Sequence, residues 1–178
     1  MTTILHVYSE KRPKDQVETL AVVKQLRRKY DVISRLTSVA DDLSYSRILA
    51  EYWGKDDLVH FQQDVVPTAA MIQSLIDCPY EACTYPHALH TGFGLWAPGY
   101  TDGVLDKMTW YYPPFPSRVE CSGMALCKFS KELQQLIPLG DEHWSMIDTK
   151  ISCFMDQHLH RMWHVHLPEV KHNHHWIK

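Results

Sequence analysis

The sequence predicts an α/β fold whose front half carries a parallel sheet. The first observation behind this is the order of hydrophobic patterns, in which short apolar runs alternate with stretches of helical period as strand, helix, strand, helix, strand. The second is size and composition: 178 residues, 45% hydrophobic and 22% charged, suit one domain with a real core and argue against disorder. The third is charge. Eighteen basic and 21 acidic residues give a formal −3, which excludes a strongly basic nucleic-acid binder. No run approaches the ~20 apolar residues that span a bilayer. The apolar patch Ile4, Leu5, Val7 and Tyr8 is too short for a signal peptide. The expectation is a cytoplasmic protein without a transmembrane segment.

Each element has its own signal. Thr3 to Ser9 (TILHVYS) is a short apolar run, the mark of a strand buried on both faces. Lys14 to Tyr30 places Val17, Leu20, Ala21, Leu26 and Tyr30 near a 3.6-residue period, an amphipathic helix. Its closing Arg27, Arg28 and Lys29 complement the helix dipole. Asp31 to Leu36 alternates and is β-branched, a second strand, and Leu43 to Trp53 is a second helix with Gly54 as its stop. Leu58 to Gln62 is the third strand. Thr68 then caps a helix to Ile76, and Glu81 to Pro86 has strand character. Residues 90–117 hold four glycines and four prolines among aromatics, the composition of a long irregular loop that binds or covers something. Glu120 to Phe129 returns to strand character, broken by Gly123. Ser130 caps a short helix to Ile137, and His143 to His158 is a longer helix with Trp144, Ile147, Ile151, Phe154 and Met155 on one face.

Five cysteines, Cys78, Cys83, Cys121, Cys127 and Cys153, form an odd set without CxxC spacing, so neither a zinc knuckle nor a complete disulfide framework is expected. They read as buried thiols, with one bridge such as Cys78 to Cys83 left open. Histidine is the unusual residue. Seven of the twelve fall in the last 21 positions, a set suited to a divalent metal or a pH-sensitive surface.

Ligands of open α/β sheets bind beyond the carboxyl ends of the strands. Three predicted strands end in polar residues: Ser9-Glu10-Lys11-Arg12, Thr37-Ser38 and Gln62-Gln63-Asp64. The third is the sharpest. A buried strand runs into Gln62 and Asp64, which share one face of extended chain. Asp64 suits a divalent cation held against a phosphate, or equally a turn before Pro67. Arg47 either reaches a ligand or pairs with Glu51 one helical turn away. Trp96, Tyr100, Trp110, Tyr111 and Tyr112 either stack on a sugar or fill a small core of their own.

LSYSRILAEYWGKDDLVHFQQDVVP, residues 43–67, resembles the stretch of GT-A-fold glycosyltransferases in which an arginine-bearing helix precedes a hydrophobic strand ending in a D-x-D-type motif. VECSGMALCKFSKELQQLIP, DEHWSMIDTKISCFM and WHVHLPEVKHNH are similar to later segments of that family. The resemblance implies a three-layer α/β/α sandwich with a mostly parallel central sheet and helices on both faces. Residues 1–78 would be the nucleotide-binding half and 79–178 the acceptor half of a single domain. It implies a transferase that moves a sugar from a UDP- or GDP-sugar donor to a glycan, protein or small-molecule acceptor, using Mn²⁺ or Mg²⁺. Carried over by position, Asp64 is the metal carboxylate, and Gln62 stands where the motif has its first Asp. Arg47, Ser9, Glu10 and Arg12 face the nucleotide. Asp148 is the first choice of catalytic base and Glu142 the second. A tail histidine, His172 or His166, completes the metal site. Two readings compete: a zinc-dependent hydrolase built on the C-terminal histidines with Asp64 or Asp148, and a non-catalytic carbohydrate- or protein-binding module.

Overall fold

The computed structural model describes residues 1–9, 16–38, 40–89, 92–143 and 145–173. Glu10 and Arg12 lie outside them. The front half follows the alternation of the sequence: β1 (Thr2–Ser9), α1 (Val17–Leu26), β2 (Val32–Thr37), α2 (Ser44–Tyr52) and β3 (Asp57–Gln62). A two-residue β4 (Val65–Val66) follows, then α3 (Ala69–Asp77). The Thr68 hydroxyl caps α3 by accepting from Met71 N at 3.2 Å. Next come β5 (Ala82–Thr84), β6 (Ala88–Leu89), β7 (Gly92–Phe93) and the long pair β8 (Leu95–Thr101) and β9 (Val104–Trp110). The chain continues through β10 (Arg118–Val119), β11 (Cys121–Ser122) and β12 (Leu126–Phe129). It closes with α4 (Lys131–Leu136), α5 (Ile147–Phe154), a π-helical turn at Met155–Leu159, β13 (Trp163–Val165) and β14 (Lys171–His172).

A mostly parallel three-layer sandwich is not what forms. Among the described residues the main sheet is mixed, with seven strands in the order β10-β13-β5-β12-β3-β1-β2, and three small antiparallel sheets accompany it. β1, β2 and β3 run parallel, as do β5 and β13, whereas β12 is antiparallel to both β3 and β5. The reason is connectivity. Adjacent parallel strands need a crossover, usually helical, and among the described residues no helix lies between Thr84 and Leu126. The chain there folds instead into the β8–β9 hairpin, which replaces the expected irregular loop, and β12 enters the sheet reversed. Gly123 breaks the predicted strand because β11 joins the hairpin sheet and β12 the main one.

The core forms two clusters. One gathers Leu49 of α2, Leu133 of α4 and Ile151 of α5 around Phe129 and Trp163. The other packs Val23 and Leu26 of α1 and Ile72 and Leu75 of α3 against Val59 and Phe61. Trp163 is fully buried, edge-on to Phe129 at 4.9 Å, and its indole N–H donates to Ser152 at 3.1 Å. No helix among the described residues is long and apolar enough to cross a membrane.

Two histidines sit wholly inside the central strands, His6 on β1 and His60 on β3. Burial pushes the His6 imidazole down to about 4, helped by Arg27, and the His60 imidazole down to about 3. In the unfolded chain both would protonate near pH 6.5, so the unfolded state takes up protons first as pH falls. The expected result is a melting temperature that declines from pH 6.5 towards 4. Replacing His6, which stacks on Phe61 at 4.9 Å, by Phe should flatten part of that slope. Circular-dichroism melts across the range measure it.

Candidate functional site

A cleft of about 500 Å³ opens at the carboxyl ends of β1, β2 and β3. The end of β3 is fixed by a chain of hydrogen bonds. The Gln62 amide donates to the Tyr45 hydroxyl at 3.3 Å, and that hydroxyl meets His60 Nε2 at 2.9 Å. His60 Nδ1 lies 3.1 Å from the Met124 carbonyl, which only accepts, so Nδ1 carries the proton and Tyr45 donates to Nε2. The end of β1 is tied in by Gln63, whose side-chain oxygen accepts from Ser9 N at 2.6 Å and from Gln16 at 3.2 Å.

Asp64 follows in the turn after β3, only 5% exposed. The next two residues form β4, which pairs antiparallel with β14 so that His172 stands opposite Val65. Asn173 N donates to the Asp64 carbonyl at 2.7 Å and pins the register. The consequence is a side-chain meeting across more than a hundred residues of sequence: His172 Nε2 lies 3.4 Å from Asp64 Oδ1. His172 Nδ1 sits 2.7 Å from the Ala88 carbonyl and donates its hydrogen there. In neutral imidazole Nε2 is then a lone pair aimed at a carboxylate. Two acceptors facing each other fit a cation held between them, and a metal-bound histidine is usually oriented by such an Nδ1–H to carbonyl bond. A carboxylate with an imidazole suits Mn²⁺ better than Mg²⁺.

Asp148, at the start of α5, lines the same cleft. Its Oδ1 accepts from Thr149 N at 2.7 Å, while Oδ2 lies 3.6 Å from where a Cβ on Gly123 would sit. Burial pushes its carboxyl up to about 6, against the opposing pull of the Thr149 hydrogen bonds. A carboxylate poised there takes and returns protons near neutral pH.

His87 was not singled out by the sequence and is central. Its buried ring crosses that of His172 at 5.2 Å. It packs so closely on two glycines that a Cβ would come within 2.0 Å of it at Gly94 and 2.9 Å at Gly123. Only a residue without Cβ leaves this ring its place, and that is the signal the two glycines carried. Trp96 and Trp110, with ring centroids 5.4 Å apart, form an aromatic wall of the cleft. Asp41 and Asp42 add two more carboxylates. Among the described lining residues there is no lysine or arginine, although Arg47 reaches Asp41 from outside at 3.0 Å.

Of the residues read from sequence, Ser9, Gln62, Asp64, Asp148 and His172 meet at this cleft. Arg47 does not: it is 52% exposed and pairs with Asp41 at 3.0 Å and Asp141 at 3.2 Å, bracing the loop before α5. Glu142 pairs with Lys150 beside a separate recess of about 300 Å³. His166 lies on another part of the sheet, 3.1 Å from the Ser74 hydroxyl and stacked on Tyr85. The tail positions His174 and His175 lie outside the described residues.

No protein-family model matches the chain, and no curated protein matches it. Among solved structures it is similar to A197 from STIV, with a TM-score of 0.62 and 14% identity over 94% of this chain and 83% of that one. At that identity the likeness is one of fold alone.

Proposed function

We propose that this protein is a metal-dependent glycosyltransferase that moves a sugar from a nucleotide-diphosphate donor to an acceptor hydroxyl. The observation that carries the reading is Asp64 facing His172 Nε2 at 3.4 Å, with Asp148 on the wall of the same cleft. Asp64 and His172 would hold Mn²⁺ or Mg²⁺, which supplies Lewis-acid neutralisation of a diphosphate leaving group. Asp148 Oδ2 accepts the proton of the acceptor hydroxyl as that oxygen attacks the sugar. Trp110, half-buried and backed by the buried Trp96, offers an apolar face for a sugar ring or a base. The Gln62–Tyr45–His60 chain keeps the end of β3 rigid, so that Asp64 meets the donor in one position.

Melting curves with UDP or GDP, with and without Mn²⁺, test the proposal. The transferase is stabilised only when nucleotide and Mn²⁺ are present together. Stabilisation by Zn²⁺ alone, with no further effect of nucleotide, would overturn it in favour of a hydrolase. No response to any of them would leave a binding module.

A further inference from the structure

The sequence gives no CxxC pair, yet the fold completes a second set of metal-ligating atoms well away from the cleft. Cys78 follows α3, Cys83 lies on β5, and His166 arrives just past β13, next to β5 in the sheet. The two sulfurs and a His166 ring nitrogen all lie within 4.8 Å of one another. We propose that Cys78, Cys83 and His166 form a thiol-gated zinc site, closed as a disulfide when oxidised and open to Zn²⁺ when reduced.

Four observations support it. The Cys78–Cys83 spacing, four intervening residues, falls within the range of structural zinc ligands. In the structure Cys78 and Cys83 are joined as a disulfide whose α-carbons stand 7.1 Å apart, wide for such a bond and comfortable for two thiolates on one ion. His166 Nδ1 is engaged with the Ser74 hydroxyl at 3.1 Å, while its buried Nε2 has no hydrogen-bond partner among the described residues. That is the arrangement of a zinc-bound imidazole, one nitrogen oriented by a neighbour and the other left for the metal. Finally, the chain supplies a buried cation beside this segment: Lys128 donates to the Cys78 carbonyl at 2.6 Å while also pairing with Asp57 at 4.0 Å, and positive charge near a thiol favours the thiolate. Two thiolates and an imidazole select zinc over Mg²⁺ or Mn²⁺, so this site and the cleft would not compete for one metal. The fourth position falls to water.

Opening the site is a two-electron reduction. A dithiol reductant gives up two electrons and two protons, the Cys78–Cys83 bond breaks to two thiols, and the reductant leaves as its own disulfide. Zn²⁺ then displaces both thiol protons to solvent.

The test titrates Co²⁺, a spectroscopic stand-in for zinc, into the full chain under anaerobic conditions. One sample is first reduced with a phosphine and desalted; the other is left oxidised. The reduced chain should show thiolate-to-cobalt charge-transfer absorption at one equivalent, which Zn²⁺ bleaches, and the oxidised chain none. His166→Ala should weaken this binding by at least the about 10–100-fold that losing even an outer partner costs. Asp64→Ala should leave it unchanged, separating it from cobalt in the cleft. No thiolate band in the reduced chain, or a band of equal affinity in His166→Ala, overturns the proposal. Near-ultraviolet circular dichroism confirms that each variant is folded.

Discussion

For the transferase proposed above, Asp64→Ala is expected to remove Mn²⁺-dependent sugar transfer while the fold stays in place. The carboxylate is buried at the end of the cleft, and its oxygen faces His172 Nε2 at 3.4 Å. A divalent ion supplies several kcal/mol of charge stabilisation to a departing diphosphate, so its loss should slow transfer by about three orders of magnitude or more. The melting temperature without metal should stay within a few degrees of the parent, and the rise given by nucleotide plus Mn²⁺ should vanish. Transfer assays and melts on one preparation decide it: full Mn²⁺-dependent activity in Asp64→Ala would sink the assignment.

Asp148→Asn has the second largest expected effect. The substitution keeps the shape and removes the basicity, so donor-dependent stabilisation should persist while transfer falls by about 10²–10⁴-fold. In the parent the base must be ionised, so activity should rise with pH through about 6 and level off above it. Stability should move the opposite way. The unfolded carboxyl ionises near its ordinary value and the folded one only near 6, so folding binds a proton between these values and loses that advantage as pH rises. Asp148→Asn should therefore melt higher than the parent at pH 8 and no higher at pH 4. Loss of donor binding together with transfer would mark Asp148 as structural instead.

The elements of the front half were legible because their apolar residues are local and periodic. β1, α1, β2, α2 and β3 lie within the stretches those patterns marked, but the stripe read for α1 was off: Thr19, Val23 and Leu26 are buried while Val17 and Leu20 are exposed. The direction of β12 was not legible, since it depends on what connects it, and a stretch rich in glycine and proline gives no hint of pairing with itself. Pro98 and Gly99 sit inside β8, next to the register shift between Gly99 and Tyr100 and past Leu95 and Trp96, the two residues that β11 pairs, so that Pro98 is laddered to β9 and needs no donor towards β11. The site divides in the same way. Asp64 could be read because a strand leads straight to it. Arg47 was read towards the ligand, but its partners Asp41 and Asp141 come from separate loops that only the fold brings together. His87 was silent because its importance lies in the missing side chains of Gly94 and Gly123.

The short pairing of β14 with β4 has a consequence for how the molecule opens. His172 reaches Asp64 on a strap fastened by the two-residue ladder, by Val170 N to the Pro86 carbonyl and by Asn173 N to the Asp64 carbonyl. Phe61, in contrast, lies in a central strand hydrogen-bonded on both sides. Short segments at the periphery of a fold, even ones with buried anchors such as Val170, exchange their amide hydrogens through local openings that leave the rest of the protein intact. The amides of Val170 and Asn173 should therefore exchange with deuterium long before that of Phe61. In rising urea the imidazole should part from the carboxylate while the seven-stranded sheet is still native.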